Sequence, residues 1–274
     1  LDGGGVRGLV SLLILQRLMH LINPQQPPKP CEVFNYIAGT STGGLIAIML
    51  GRLRMDVQSC IDSYMALSRE VFSPRFRARL FGRVFQSMAG SSAFDYEVLE
   101  RVVQDMVERT TGKPDTVLLE DDPNCKIFVC ASMSNTDTVR LRNYRSEFEE
   151  DTGCTIWEAA RATSAAPTFF DPVTFSSGIT FRDGALRDNN PIFQLFTEIR
   201  THSPTIPIIA LVSIGTGLQK SLSVTSRLDS VMYACVKIST DTENTAKRFQ
   251  QSFCGPGGPY ENRYFRFNVM RGVE

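Results

Sequence analysis

The stretch "GTSTGG", residues 39 to 44, joins the apolar run "VFNYIA" to the apolar run "LIAIML" with almost no loop between them. A strand that passes so abruptly into a helix needs small residues around the turn, because ordinary side chains there would collide. Gly39 and Gly43 supply that room, so the pattern reads as G-x-S-x-G, an elbow that exposes Ser41 at the carboxyl edge of a sheet. The next residue's N–H and the helix start then face any negative charge developing beside the serine. A plainer reading stays open, in which the stretch is a Ser/Thr/Gly turn that only caps a helix.

A serine hydroxyl is a poor nucleophile until a base takes its proton. The chain has two histidines. His20 precedes Ser41 on a first helix and reads as a core-helix residue, while His202, in "IRTHSPT", falls at the end of a helix, where histidine commonly caps. The order Ser41, Asp183, His202 matches the α/β-hydrolase chain order, but no glycine-rich loop surrounds His202 to bring it to the elbow.

The stronger candidate is Asp183 itself, in "FRDGALRDNNP". A strand ending in Asp-Gly puts the carboxylate at the sheet's edge, and a carboxylate can act directly as general base if its surroundings raise its pKa toward the working pH. The competing reading is an Asp-Gly turn without chemistry. Asp188, close by, reads as a residue that holds the "DNNP" turn and caps the next helix.

Acyl transfer also creates an oxyanion. The glycines of "LDGGGVRG" before a helix offer N–H groups of Gly3, Gly4 and Gly5 that can face one ligand. The same letters fit the G-x-G-x-x-G dinucleotide fingerprint through Gly3, Gly5 and Gly8. The acidic residue due about 20 positions on is replaced by "PQQPPKP", which disfavours that reading. No G-K-[ST] follows, which disfavours a P-loop.

Lys plus Arg equals Asp plus Glu at 29 each, so no global field draws the chain to nucleic acid or anionic lipid. The 274 residues suffice for one large domain. Seven scattered cysteines without a CxxC pair indicate neither a disulfide framework nor a zinc site, and point to a reducing compartment. The run "LVSLLILQRLMHLI" is broken by Gln16, Arg17 and His20 and reads as a buried helix too short to span a bilayer.

Periodicity predicts helices at about 8 to 22, 42 to 51, 56 to 71, 95 to 110, 155 to 164, 191 to 201 and 226 to 252. It predicts strands at about 33 to 38, 126 to 132, 138 to 143, 172 to 175, 179 to 182 and 263 to 269, with "PIIALVSIG" as a strand buried on both faces. The alternation implies an α/β fold, a mostly parallel sheet covered by helices. In "SPRFRARLFGRVF", residues 73 to 85, Arg75, Arg79 and Arg83 alternate with Phe76, Leu80, Phe81 and Phe85. That is a basic amphipathic pattern for either a lipid-facing lid or an ordinary surface helix.

Together "DGGGVRG" (2 to 8), "GTSTG" (39 to 43), "WEAARATSAAPTFF" (157 to 170) and "DGA" (183 to 185) resemble the patatin-like phospholipase family, in the family's order and over at least residues 2 to 191. The style is similar to patatin domains built into larger fungal proteins. The resemblance implies a three-layer α/β/α sandwich and one patatin-like domain over 1 to 274, excised from a longer chain and lacking all of the first strand but Leu1. It also implies a Ser41–Asp183 dyad that cleaves glycerolipid esters without calcium, metal or other cofactor, with Gly3, Gly4 and Gly5 at the oxyanion. Arg7 then braces the glycine loop or meets a lipid phosphate, and Asp2 steadies the turn. The implied substrate is a lipid or membrane surface, with no nucleic-acid partner and no transmembrane segment, in a cytoplasmic protein with peripheral membrane contact. Two rivals are a lipid-sensing module with little turnover and an esterase that uses His202.

Overall fold

A computed structural model describes residues 1–71, 95–133, 137–166, 170–218 and 241–270. In chain order the elements are a 3₁₀ turn (Gly5–Arg7), α1 (Gly8–Ile22), α2 (Pro30–Val33), β1 (Tyr36–Thr40), α3 (Thr42–Ala47) running into a π turn (Ile48–Arg52), and α4 (Val57–Val71). Next come α5 (Tyr96–Thr111), β2 (Lys126–Met133), β3 (Asp137–Arg142), α6 (Ile156–Thr163), β4 (Val173–Thr174), β5 (Thr180–Asp183) and α7 (Ala185–Asp188). The last are α8 (Ile192–His202), β6 (Leu211–Ile214), α9 (Thr242–Phe253) and β7 (Tyr264–Phe267). The basic amphipathic stretch at 73 to 85 lies outside the described residues. Of the long helix expected over 226 to 252, only the part from Thr242 is described.

Strand β2 organises the sheet. Along one edge β1 runs parallel to it from Tyr36↔Lys126 to Thr40↔Cys130, and β3 lies antiparallel along the other from Phe128↔Arg142 to Met133↔Asp137. Where β1 ends, β5 takes over the same edge from the opposite direction, Ala131 pairing with Asp183 and Met133 with Phe181. Two strands therefore meet end to end beside β2, and their tips fall on consecutive residues, Cys130 and Ala131.

Leu1 hydrogen-bonds on both sides of Gly39, through Ala38 O and Thr40 N–H, while the Asp2 N–H donates to Ile214 O at 3.1 Å. These two residues thus bridge β1 to the parallel pair β6 and β7. The α/β class holds, but the sheet is mixed rather than mostly parallel, because β3 and β5 lie antiparallel to β2 and β4 antiparallel to β5. β3 follows β2 after a short connection, which closes antiparallel neighbours, whereas a parallel pair needs a long crossover.

Alternation along the strands sorts the core into two layers. Ile37, Ile127, Val129 and Ala131 face the large cluster that includes Leu12 and Leu15 of α1, Leu45 of α3, Tyr64 of α4 and Val103 of α5. Ala38, Phe128 and Cys130 face the other way, against Leu195 of α8. Beyond them α8 and α9 close a second cluster of Phe196, Phe249 and Leu211. Helices thus cover both faces, as a three-layer sandwich requires.

Helix α1 buries only one stripe, through Leu12, Leu15 and Met19, and leaves Leu13, Leu21 and Ile22 exposed. It is an outer-layer helix rather than a buried one. Gly5–Ile22 reaches a mean hydropathy of 1.4 over a length that could cross a membrane, a test that a helix packed on a core also passes. Here that stripe packs against α4. "PIIALVSIG" is likewise less buried than expected, since the strand begins only at Leu211 and Ile209 is 82% exposed.

Candidate active site

Ser41 follows directly on β1 with φ 54° and ψ −125°, a conformation that a residue with a side chain adopts only under constraint, at about 1–3 kcal/mol. The glycines around it are needed for close approach. A Cβ on Gly39 would stand 2.0 Å from Gly43 O, and one on Gly43 would stand 2.2 Å from Leu1 O. Ser41 makes no side-chain capping bond to α3, so the capping alternative for "GTSTGG" does not describe it. The hydroxyl is free to face elsewhere.

At the adjoining strand tip lies Asp183. The carboxyl is 1% exposed, and its Oδ1 accepts the Ala185 N–H at 2.8 Å. Oδ2 is buried without a formed hydrogen bond, and Ser41 is among the groups that act on the carboxyl's protonation. Burial raises the pKa to about 7, against the smaller opposing effects of the Ala185 N–H and Ser41. The two residues meet because Thr40 and Asp183 pair with adjacent residues of β2. Residues some 140 positions apart become neighbours through strand register alone.

The glycine loop lies against the same place. Gly3 is so close that a Cβ on it would stand 3.1 Å from Ser41 Cβ. Every carbonyl of the three glycines is held by a partner. Gly3 O accepts from Thr216 Oγ1 (3.2 Å) and Asn189 Nδ2 (3.4 Å), Gly4 O from the Arg7 N–H (3.3 Å), and Gly5 O from Tyr64 Oη (2.5 Å) and Thr42 Oγ1 (3.1 Å).

The N–H of Gly3 donates to Asn189 O at 3.0 Å. Gly5, at φ +56° with open space where a Cβ would stand, is turned as only glycine readily turns.

Arg7 braces the loop: Nε reaches Gly4 O at 3.5 Å and Nη1 reaches Gly217 O at 3.4 Å. Asp2 is 1% exposed and paired at 2.6 Å with Arg266 of β7, so it anchors the start of the glycine loop. Asp188 binds Thr138 Oγ1 and Gln194 Nε2 through Oδ2 and takes Thr40 Oγ1 on its carbonyl, so it ties the turn to β3, α8 and β1 rather than capping a helix.

His20 is exposed on α1. His202 is bound to Ser146 Oγ at 2.9 Å and lies edge-on to Tyr144, which in turn packs against Tyr36. Tyr36 opens β1 and Ser41 follows its close, about 16 Å along an extended strand. The structure therefore does not bring His202 to the elbow. Among the described residues no group of three His, Cys, Asp or Glu side chains could hold a metal.

Sequence reasoning did not find Thr163, Asn189, Thr216 or Tyr64, which hold the serine and the loop in place. Asn189 carried a signal as part of "DNNP" after the Asp-Gly, and Thr163 lies within the quoted "WEAARATSAAPTFF", but nothing in either stretch names its partner; Tyr64 and Thr216 carried none.

A mixed α/β sheet with a strained serine elbow, a buried carboxylate and a glycine loop at one rim belongs to the α/β proteins built around a serine elbow. The chain is a member of the patatin-like phospholipase family, whose profile matches residues 1–196. It is 30% identical over 287 residues to human "Calcium-independent phospholipase A2-gamma", an alignment covering 98% of this chain and 34% of that protein. It is 29% identical to the "cGAMP-activated phospholipase" of Vibrio cholerae, over 82% of this chain and 66% of the relative. It is 26% identical to "Phospholipase A I" of Arabidopsis thaliana, over 79% and 20%. The chain thus spans about a third of the length of the phospholipase A2-gamma proteins it matches.

Proposed function

We propose that this chain is a calcium-independent lipid acyl hydrolase working through Ser41 and Asp183. Asp183 takes the hydroxyl proton as Ser41 Oγ attacks an ester carbonyl, and the tetrahedral oxyanion rests on the Gly4 and Gly5 N–H groups. Collapse expels the alcohol, which takes the proton from Asp183 and leaves an acyl-serine. Water, deprotonated by Asp183, then attacks the acyl-serine; Ser41 regains its proton and the fatty acid leaves. A base with a pKa of about 7 is matched to this work at neutral pH.

The observation that carries the reading is the end-to-end meeting of β1 and β5 on β2, with a strained serine at one tip and an unpaired buried carboxylate at the other. Membership in a phospholipase family supports a glycerolipid ester as substrate, met at a lipid surface, and relatives longer than this chain support further domains. The free thiols of the described cysteines fit a reducing compartment such as the cytoplasm.

A fluorophosphonate probe on the purified protein, alongside hydrolysis of a short p-nitrophenyl ester, tests this. Labelling should stop and the rate should fall at least 10³-fold in Ser41→Ala. A fully active Ser41→Ala protein rules out the mechanism, and an unlabelled wild type with bound lipid favours the sensing module instead.

A further inference from the structure

Thr163, the last residue of α6, is wholly buried behind the elbow. Its Oγ1 accepts the Ser41 N–H at 2.9 Å and donates to the Cys130 carbonyl at 2.7 Å. A hydroxyl has one proton and a peptide N–H can only donate, so the direction of both bonds is fixed.

Cys130 is the β2 residue paired with Thr40 and adjacent to Ala131, the partner of Asp183. Gly184, next after Asp183, also presses on it: a Cβ there would stand 2.8 Å from Cys130 O. One carbonyl of the central strand is thus the common reference for both tips. Gly44 keeps the approach open, since a Cβ on it would lie 2.7 Å from Thr163 Oγ1.

A residue with a side chain at positive φ persists only where its surroundings over-determine it. Without Thr163 the Ser41 N–H and the bond to Cys130 O would both be lost, and the serine would be free to relax.

We propose that Thr163 is a positioning residue whose hydroxyl pins the Ser41 amide to the β2 backbone and thereby sets the separation of the Ser41 hydroxyl from the Asp183 carboxyl. The inference rests on Ser41 being the nucleophile. It assigns α6 more than close packing behind the site.

The test compares wild type, Thr163→Val, Thr163→Ser and Ser41→Ala in steady-state hydrolysis of p-nitrophenyl butyrate across pH. Valine keeps the shape and removes the hydroxyl, so kcat should fall on the order of 10²-fold with KM little changed, as expected for a small misplacement of a reacting group. The limb that tracks Asp183 should also move to higher pH, because Ser41 would assist ionisation of the carboxyl less. Serine at 163 should restore most of the rate. Should valine fail to fold, Thr163→Ala carries the same expectation.

A Thr163→Val protein with wild-type kcat and pH limb overturns the inference, as does a Thr163→Ser protein as slow as Thr163→Val, which would assign the effect to the methyl. A dead Ser41→Ala beside a normal Thr163→Val sinks this inference alone. An active Ser41→Ala sinks the nucleophile assignment as well.

Discussion

The two ends of β1 each hold a carboxylate that is 1% exposed, and the two behave in opposite ways. At the amino end Glu198 is ringed by donors. Arg142 reaches it through Nε and Nη2, Arg140 lies 3.1 Å away, and Tyr144 Oη donates at 2.5 Å. Burial pushes its pKa up, but the hydrogen bonds from Arg142 and Tyr144 and the charges of both arginines more than offset that, and the carboxyl is held below its ordinary value. At the carboxyl end Asp183 has one amide and one serine hydroxyl for company, and among the described residues no ion pair with a cation. There burial wins. Equal solvent exposure therefore decides nothing by itself; depth of burial and partners together decide whether a carboxylate is a structural anion or a base waiting for a proton.

The sharpest way to break this comparison is to neutralise each acid in turn. Asp183→Asn should lower kcat/KM on a p-nitrophenyl ester about 10³-fold or more, because the proton acceptor is gone. In the wild type, kcat/KM should climb with pH and level off above about 7, and the limb should vanish in the variant. Stability should move the other way. With its folded pKa raised above the unfolded 3.8, Asp183 contributes stability at low pH that is lost as pH rises toward about 7. The amide variant has no such loss, so urea denaturation at pH 8 should find it at least as stable as wild type. A less stable, still active Asp183→Asn would mean the buried carboxylate is structural.

Glu198→Gln should give the mirror image. Removing the buried partner leaves Arg142 and Arg140 with the more exposed Glu149 as their remaining acid, at up to about 3–5 kcal/mol. The same assay should show hydrolysis per folded molecule changed only a few-fold. Because Glu198 has a lowered pKa, its stabilisation is present above the ordinary value of 4.5 and lost as pH falls through the folded value. Wild type should therefore approach the variant's stability in acid.

The asymmetry between the two ends also explains what could be read from the chain beforehand. Ser41 and Asp183 stand in short motifs whose glycines have a steric job, and a Cβ built at Gly39 or Gly43 shows the clash that enforces them. Such constraints are local and leave letters behind. The helix at 8 to 22 was legible too, since its periodicity is local. The Glu198 network joins β3 to α8 through residues 54 and 56 positions apart, and nothing in "LRNY" or "FTEI" announces that they meet. Thr163 is hidden for the same reason. The mixed sheet was misread because alternating strands and helices suggest crossovers, and β3 returns along β2 without one. That Gly3 gives its N–H to Asn189 depends on two loops touching, which no spacing predicts.

The smallest expected effect settles the remaining ambiguity between a dyad and a triad. His202 belongs to the Glu198 end: its Nδ1 faces Glu198 O at 3.1 Å, its Nε2 faces Ser146 Oγ, and its ring packs edge-on against Tyr144 and Phe148. Replacing it with alanine deletes those contacts and should cost about 1 kcal/mol in a thermal or urea melt. Hydrolysis should stay within about two-fold of wild type, because a ring at the far end of β1 cannot take a proton from Ser41 at hydrogen-bond range. A His202→Ala protein that is folded but slower by orders of magnitude would transfer the base to histidine and demote Asp183 to its orienting partner, and the contrast between the two carboxylates would then be one of geometry rather than of proton affinity.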